Sequence, residues 1–218
     1  KSACNKYNAD GKLQHTINQK LLGKLQTVDV TNPLELLLFY PQSDVIVMTD
    51  NTLSEKHRID LDELGFGQVK LIAHSTEEGF WIYYESETIL KRINDEGTVI
   101  QESDPLYRYV QTNLEPGSLK SYGSRLYLNN PGGGMMVFDN YGTYIKTLPL
   151  KSIRTFEVSK GVLIYWNGKD LMKYDLGKDE KHALDLPLKK LPGKAVQIRY
   201  KNGELLILDD QGLNIYKD

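Results

Sequence analysis

The chain has 218 residues, 27 of them basic and 29 acidic, with a net charge of −2 and a mean hydropathy of −0.45. The two charge signs are mixed along the sequence, which argues against a nucleic-acid surface, and no apolar stretch approaches the roughly 20 residues of a membrane helix. A single cysteine excludes an internal disulfide and a cysteine-based zinc cluster.

The sequence begins at Lys1, and the missing methionine favours an exported protein whose leader was removed. The opening "KSAC" resembles the small-residue end of a lipoprotein signal with Cys4 as the acylated residue, although Lys1 stands where such signals carry an apolar residue. The alternative places Cys4 in the first strand. We therefore expect a periplasmic or cell-envelope protein and leave a lipid anchor at Cys4 as one of two alternatives.

Further along the chain, a pair of short apolar runs recurs at intervals of roughly 42 residues, a spacing typical of four-stranded repeats. The first run of each pair begins at one of five positions: Glu35, Gly79, Ser124, Gly161 and Gly203. One candidate strand precedes each pair, and an alternating run follows the first four. Two of these following runs, "EKHRIDL" from Glu55 and "EKHALDL" from Glu180, share five of seven residues. No segment has the apolar spacing of an amphipathic helix.

Tandem four-stranded units of this length predict an all-β fold, a β-propeller of five four-stranded blades, in a single domain spanning residues 1–218. A β-sandwich is the alternative, but sandwiches rarely repeat at this interval. The last unit supplies only three strands, whereas "YNADGKLQHTI" (Tyr7 to Ile17) supplies a spare one. We therefore expect the N-terminal strand to complete the last blade and remove an exposed sheet edge.

One connection between blades is much longer than the others: "SDPLYRYVQTNLEPG", from Ser103 to Gly117. Long loops in compact domains tend to be functional. This loop carries Tyr107, Arg108 and Tyr109, residue types that are enriched at binding hot spots. The sequence therefore predicts a binding loop; the alternative is that the tyrosines pack on their own blade.

A glycine-rich turn is predicted on the same face as this loop. Its candidate binding residues are Asn129, Asn130, Gly132, Gly133 and Gly134, within "NNPGGG". Glycines let a partner's backbone approach closely, so the turn could border the binding site. The alternative is a hairpin tip without function.

No catalytic, metal or cofactor signature is present. The four histidines lack the helical spacing of a zinc protease, the triple glycine lacks the lysine and helix of a phosphate loop, and no G-x-S-x-G motif occurs. We therefore expect no metal and no cofactor. Several aspartates end strands or open turns, where we expect them to accept hydrogen bonds from the local backbone: Asp29, Asp50, Asp139, Asp175 and Asp209.

The stretch "STEEGFW" (Ser75 to Trp81) resembles the Asp-box turn of sialidase-type propellers. It departs from that pattern, since Glu77 replaces the aspartate, Trp81 comes one position early, and the stretch precedes a second strand. Such enzymes also need three inward-facing arginines, and only Arg154 and Arg199 adjoin predicted inner strands. The resemblance therefore transfers no catalytic residue.

A broader resemblance covers most of the chain. The segment "DVTNPLELLLFYPQSDVIVMTDNTL" (Asp29 to Leu53) and "GFWIYYESETILKRIND" from Gly79 are similar to envelope propellers of the Bacteroidetes, including the plug-type propeller of the type 9 secretion translocon. This resemblance implies export to the periplasm and a protein partner.

The leading functional hypothesis is a non-catalytic propeller that binds a protein or envelope component through one face. The first alternative is a carbohydrate-active enzyme, sialidase-like or lyase-like, with two acid–base carboxylates at the channel mouth. The second is a small-ligand sensor.

Overall fold

A computed structural model describes residues 3–110, 113–183, 197–201, 204–209 and 211–217. Within these ranges the chain forms 21 strands and two short 3₁₀ helices, Lys20–Leu22 and Leu106–Tyr109, and no α-helix. Neither short helix has the length or hydropathy of a membrane-spanning segment. The all-β prediction is confirmed.

Every strand pairs with its sequence neighbour. An N-terminal sheet contains β1 (Ala3–Tyr7) and β2 (Leu13–Asn18). Blade 1 contains β3 (Thr27–Asp29), β4 (Leu36–Tyr40), β5 (Val45–Thr49) and β6 (Glu55–Asp60). Blade 2 contains β7 (Val69–His74), β8 (Phe80–Tyr84), β9 (Ile89–Ile93) and β10 (Val99–Glu102).

Blade 3 contains β11 (Ser118–Tyr122), β12 (Arg125–Asn130), β13 (Gly134–Asp139) and β14 (Tyr144–Leu148). Blade 4 contains β15 (Thr155–Ser159), β16 (Val162–Trp166), β17 (Leu171–Asp175) and β18 (Glu180–Ala183). Blade 5 contains β19 (Gln197–Lys201), β20 (Glu204–Leu208) and β21 (Leu213–Lys217). This arrangement is a five-bladed β-propeller, as the repeat predicts. The second half of the "EKHALDL" run lies outside the described residues.

Among the described strands, β1 pairs with β2, and β19, β20 and β21 form the described part of blade 5. Asn8 Oδ1 accepts hydrogen bonds from the N–H groups of Asp10 (3.1 Å) and Lys12 (2.8 Å) and so closes a tight hairpin between β1 and β2. Ile17 on β2 is buried in a cluster with Leu38 and Tyr40 of blade 1.

Contacts divide the chain into two compact units. Unit 1 comprises residues 1–109, 119–127 and 138–145, and unit 2 comprises residues 110–118, 128–137 and 146–218. One apolar cluster of unit 1 joins strands of blades 1 and 2, including Phe39, Ile46 and Ile82. In unit 2 a smaller cluster joins blades 4 and 5 through Ile164, Trp166 and Ile207, among others.

The strands form where apolar runs can be buried on both faces. β5 is buried along its whole length, whereas β6, at the outer edge of the same blade, begins with four exposed residues. Fully buried inner strands are expected to be continuously apolar rather than alternating. This burial pattern explains why the inner pairs of runs repeat so clearly in the sequence.

The predicted backbone role of the aspartates is confirmed. Asp139 Oδ1 accepts hydrogen bonds from the N–H groups of Tyr141 and Thr143, both 2.9 Å, and the side chains of Asp50, Asp175 and Asp209 make equivalent bonds in their own turns. Asp29 accepts one from Thr31 N and a second from His74 N on β7 (both 2.8 Å), which ties blade 1 to blade 2.

Candidate binding site

The start of the long loop is fixed to blade 2. Ser103 N donates a hydrogen bond to Leu90 O (2.9 Å), and Leu90 N donates one to Ser103 Oγ (3.0 Å). Leu106 is fully buried, and its N–H donates to Thr88 O (2.8 Å). These bonds hold the 3₁₀ helix that carries the predicted tyrosines, so that its exposed side chains project from a fixed base.

Tyr109 belongs to this base. Its ring stacks on that of Tyr144 with 4.1 Å between centroids and 7° between planes, and its hydroxyl donates to Asp104 Oδ2 (3.0 Å). Burial, followed by the hydrogen bond to Asp104, raises the pKa of Tyr109 above its ordinary value. Tyr109 therefore packs against the protein's own strands, which is closer to the alternative prediction than to an exposed binding residue.

Tyr107 and Arg108 differ from Tyr109. Tyr107 is 60% exposed. Arg108 Nη1 lies 3.1 Å from Asp104 Oδ1, and both side chains are mostly exposed, so this ion pair adds little to stability. Asp104 thereby accepts hydrogen bonds from both Arg108 and Tyr109, which ties the guanidinium of Arg108 to the fixed Tyr109. Gln111 and Thr112 of the same loop lie outside the described residues.

The predicted asparagines lie inside unit 2. Asn129 and Asn130 are each 1% exposed. Asn129 Nδ2 donates to Ile153 O (3.0 Å), while Asn130 Oδ1 accepts from Glu115 N (3.1 Å) and Asn130 Nδ2 donates to Asn113 O (3.4 Å). Both amides thus hold the chain's own backbone, including the end of the long loop.

The glycines of the tip divide into two kinds. A Cβ at Gly134, where φ is +121°, would lie 2.5 Å from Leu148 O, so this glycine is required by the fold itself. A Cβ at Gly132 would meet nothing within 4 Å. Gly133 N donates to Asn130 O (3.0 Å) and closes the turn. Gly132, unlike Gly134, therefore fits the predicted role of leaving room for a partner's backbone.

Sequence reasoning missed an acidic cleft in unit 1, with a volume of about 240 Å³. Three turns of blades 1 and 2 supply its five carboxylates: Glu35, Glu77, Glu78, Asp95 and Glu96. His74 also lines it; its Nδ1 lies 2.7 Å from Ser75 O and its Nε2 lies 3.9 Å from Glu35 Oε1. The acidic turns "TEEG" and "NDEG" were a visible signal, but their meeting depends on the packing of two blades.

One carboxylate of the cleft has a structural partner. Glu77 Oε2 accepts a 2.8 Å hydrogen bond from Arg92, whose side chain is 7% exposed and lies 6.0 Å from the Trp81 ring. Arg92, with a second hydrogen bond from Asn140, lowers the pKa of Glu77. Glu77 is therefore held ionised, which suits a structural ion pair and not a general acid.

The possible metal ligands and the single cysteine are the last features to place. Among the described residues no three histidine, cysteine or acidic side chains converge to hold a metal. Cys4 lies in β1, packs partly buried against the cluster around Leu38, and its thiol pKa is raised by burial. This agrees with the interpretation of Cys4 as a strand residue.

The fold therefore defines a five-bladed β-propeller in which one loop presents an exposed tyrosine and arginine. No protein-family model and no curated protein sequence matches the chain. Solved structures do match it, at identities that show the fold alone. Virginiamycin B lyase from Staphylococcus aureus is 14% identical with a TM-score of 0.62, over 100% of this chain and 78% of that one.

Two further similar structures come from other bacteria. BamB from Moraxella catarrhalis is 10% identical with a TM-score of 0.60, over 100% of this chain and 79% of that one. PorZ, described as an essential surface component of the type-IX secretion system of Porphyromonas gingivalis, is 15% identical with a TM-score of 0.62. That match covers 89% of this chain and 27% of PorZ.

Proposed function

We propose that this chain is a non-catalytic binding propeller of the bacterial cell envelope that engages a protein partner through the loop at Tyr107 and Arg108. The observation that carries the proposal is the contrast within one helical turn. Leu106 and Tyr109 are packed onto the protein, whereas Tyr107 and Arg108 point to solvent from this fixed base. An exposed, preorganised aromatic residue beside an arginine is typical of a binding hot spot.

The proposed location in the cell envelope rests on two similarities to other proteins. The resemblance to Bacteroidetes envelope propellers implies export, and PorZ is a bacterial surface component with a similar fold. The partner is then a protein or another envelope component. Gly132 is proposed separately as a binding residue, because a Cβ at this position would meet nothing within 4 Å.

Affinity capture from a cell-envelope extract of the source organism tests the role of the loop. Tyr107→Ala and Arg108→Ala should each lower partner recovery about tenfold or more, as expected for hot-spot residues. Tyr141→Ala is the matched control, because Tyr141 is a tyrosine of unit 1 with nearly the same exposure, 57%. Equal recovery by the wild type and all three variants would refute the role of this loop.

The enzyme alternative stays a separate prediction with its own requirements. It needs one carboxyl group that remains protonated near neutral pH beside a second that is ionised. In the cleft of unit 1, Glu77 has the opposite property, since Arg92 lowers its pKa. Glu77 therefore does not supply the protonated carboxyl group that this alternative needs, and a lyase is among the proteins with a similar fold.

A further inference from the structure

The turn that joins β16 to β17 in blade 4 contains an Asn–Gly pair, Asn167–Gly168, and lies within unit 2. Asn167 Oδ1 accepts hydrogen bonds from the N–H groups of Lys169 (2.8 Å) and Asp170 (2.7 Å). The asparagine side chain is thus held against the backbone of its own turn. The ring that the bond from Lys169 closes contains both Asn167 Cγ, the electrophilic carbon of the side-chain amide, and Gly168 N.

Two features of Gly168 favour its backbone nitrogen as a nucleophile. The residue is exposed and has no Cβ, so no side chain of its own covers the nitrogen. A Cβ at this position would lie 2.7 Å from Arg154 Nε and 3.1 Å from Arg154 Cζ, so the guanidinium lies directly beside the glycine. A nearby positive charge favours the deprotonated form of a group. Arg154 therefore stabilises the anionic amide nitrogen that attacks a carbonyl carbon.

The two hydrogen bonds to Asn167 Oδ1 favour the same reaction at the electrophile. When Gly168 N adds to Asn167 Cγ, negative charge develops on Oδ1. The N–H groups of Lys169 and Asp170 already point at this oxygen. Preorganised donors aimed at an oxygen that gains charge in the transition state lower the barrier of acyl transfer. The turn and Arg154 thus bring together a nucleophile, a stabilising cation and two donors for the developing oxyanion.

We propose that Asn167–Gly168 is a self-modification site whose asparagine converts to aspartate and isoaspartate. Gly168 N gives its proton to solvent and bonds to Asn167 Cγ; the Cγ–Nδ2 bond then breaks, and Nδ2 leaves with a proton from water as ammonia. Water, the co-reactant, adds to either carbonyl carbon of the resulting succinimide and opens the ring. The product adds a negative charge to the turn, and isoaspartate also lengthens the main chain by a carbon atom. The site is independent of the loop at Tyr107.

The same chain contains matched controls for this geometry. Asn8 and Asn94 each accept hydrogen bonds at Oδ1 from two backbone N–H groups of their own turns, at 2.8–3.2 Å. Ala9 and Asp95 follow them, so in both turns a side chain hinders the nitrogen that would attack. The other Asn–Gly pair of the sequence, Asn202–Gly203, lies outside the described residues and is followed on a separate peptide.

Incubation of the intact protein at neutral and at mildly alkaline pH, followed by proteolysis and mass spectrometry, measures the conversion of each asparagine. We expect Asn167 to convert at least about tenfold faster than Asn8 and Asn94, because the following side chains hinder attack in those two turns. The rate should rise with pH, since the attacking nitrogen is deprotonated, and isoaspartate should accompany aspartate, since only ring opening yields it. Equal rates at Asn167 and Asn94, or aspartate without isoaspartate, would overturn the proposal.

A peptide and two variants test the contribution of the fold. The peptide of residues 163–171 keeps the Asn–Gly pair without the folded turn, so the protein should convert at least as fast; slower conversion in the protein would overturn the proposal. Gly168→Ala should slow conversion at least about tenfold. Arg154→Gln keeps the glycine and should slow conversion about threefold or more, with urea unfolding as the check that both variants fold. An unchanged rate in Arg154→Gln would overturn the role of this arginine.

Discussion

The glycine tip of blade 3 offers a sharp test because two of its glycines differ in what surrounds them. Gly134 has φ at +121°, and a Cβ there would lie 2.5 Å from Leu148 O and 3.0 Å from Thr147 Cγ2. Gly132 has open space around the same atom. Gly134→Ala and Gly132→Ala therefore add the same methyl group two residues apart in opposite environments.

The magnitude follows from two costs. Backbone strain at a φ that L-residues rarely adopt costs about 1–3 kcal/mol, and forcing a methyl group against a fixed backbone oxygen costs about 1–3 kcal/mol more. Gly134→Ala should therefore lower the free energy of unfolding by about 2–6 kcal/mol, a fall in Tm of roughly 4–24 °C for a chain of this size. Gly132→Ala should stay within about 0.5 kcal/mol of the wild type.

Urea unfolding followed by tryptophan fluorescence is a suitable assay, because Trp81 and Trp166 are both buried. The partner-capture assay tests Gly132 separately as a binding residue, since Gly132→Ala should then lower partner recovery without a change in stability. Equal stability of the two variants would refute the structural role of Gly134. Full partner recovery by Gly132→Ala would refute a binding role of Gly132.

Two further predictions concern unit 1. Gly79→Ala should destabilise the protein by about 2–4 kcal/mol, because φ is +74° and the added Cβ would lie 2.0 Å from Ile93 O. Gly11→Ala is the control: φ is +75° there and the Cβ has no neighbour within 4 Å, so it should cost only the backbone strain of about 1–2 kcal/mol. Equal losses of stability in urea unfolding would contradict the steric argument. Glu77→Gln should destabilise the protein at pH 7, because buried Arg92 loses its ionised partner. The difference in stability from the wild type should shrink as the pH falls below 4.5, the ordinary pKa of Glu77, which Arg92 lowers in the folded state. Urea midpoints measured at several pH values check this prediction, and a stability difference independent of pH would contradict it.

Local patterns predicted the strands and the turns. The apolar runs become β4, β5, β8, β9 and their equivalents, because both faces of these strands are buried. The aspartate turns form because each carboxylate reaches a backbone N–H within a few residues, as Asp139 does. These interactions join residues that are close together along the chain, and a single sequence therefore carries enough information to place them.

Long-range packing explains what the sequence could not predict. Tyr109 is fixed by Tyr144, and Asn129 by Ile153, partners that lie many residues away. Residue type alone cannot separate a buried asparagine from an exposed one, or Tyr109 from Tyr107.

The most direct test of the binding proposal places a photo-crosslinking amino acid at position 107 and, in a second protein, at position 141. Both positions carry tyrosines of similar exposure, so the two proteins differ in the location of the probe and not in its accessibility. We expect a defined adduct with a partner from position 107, lost on addition of excess unlabelled protein, and no adduct from position 141. No adduct at either position, or the same adducts at both, would contradict it.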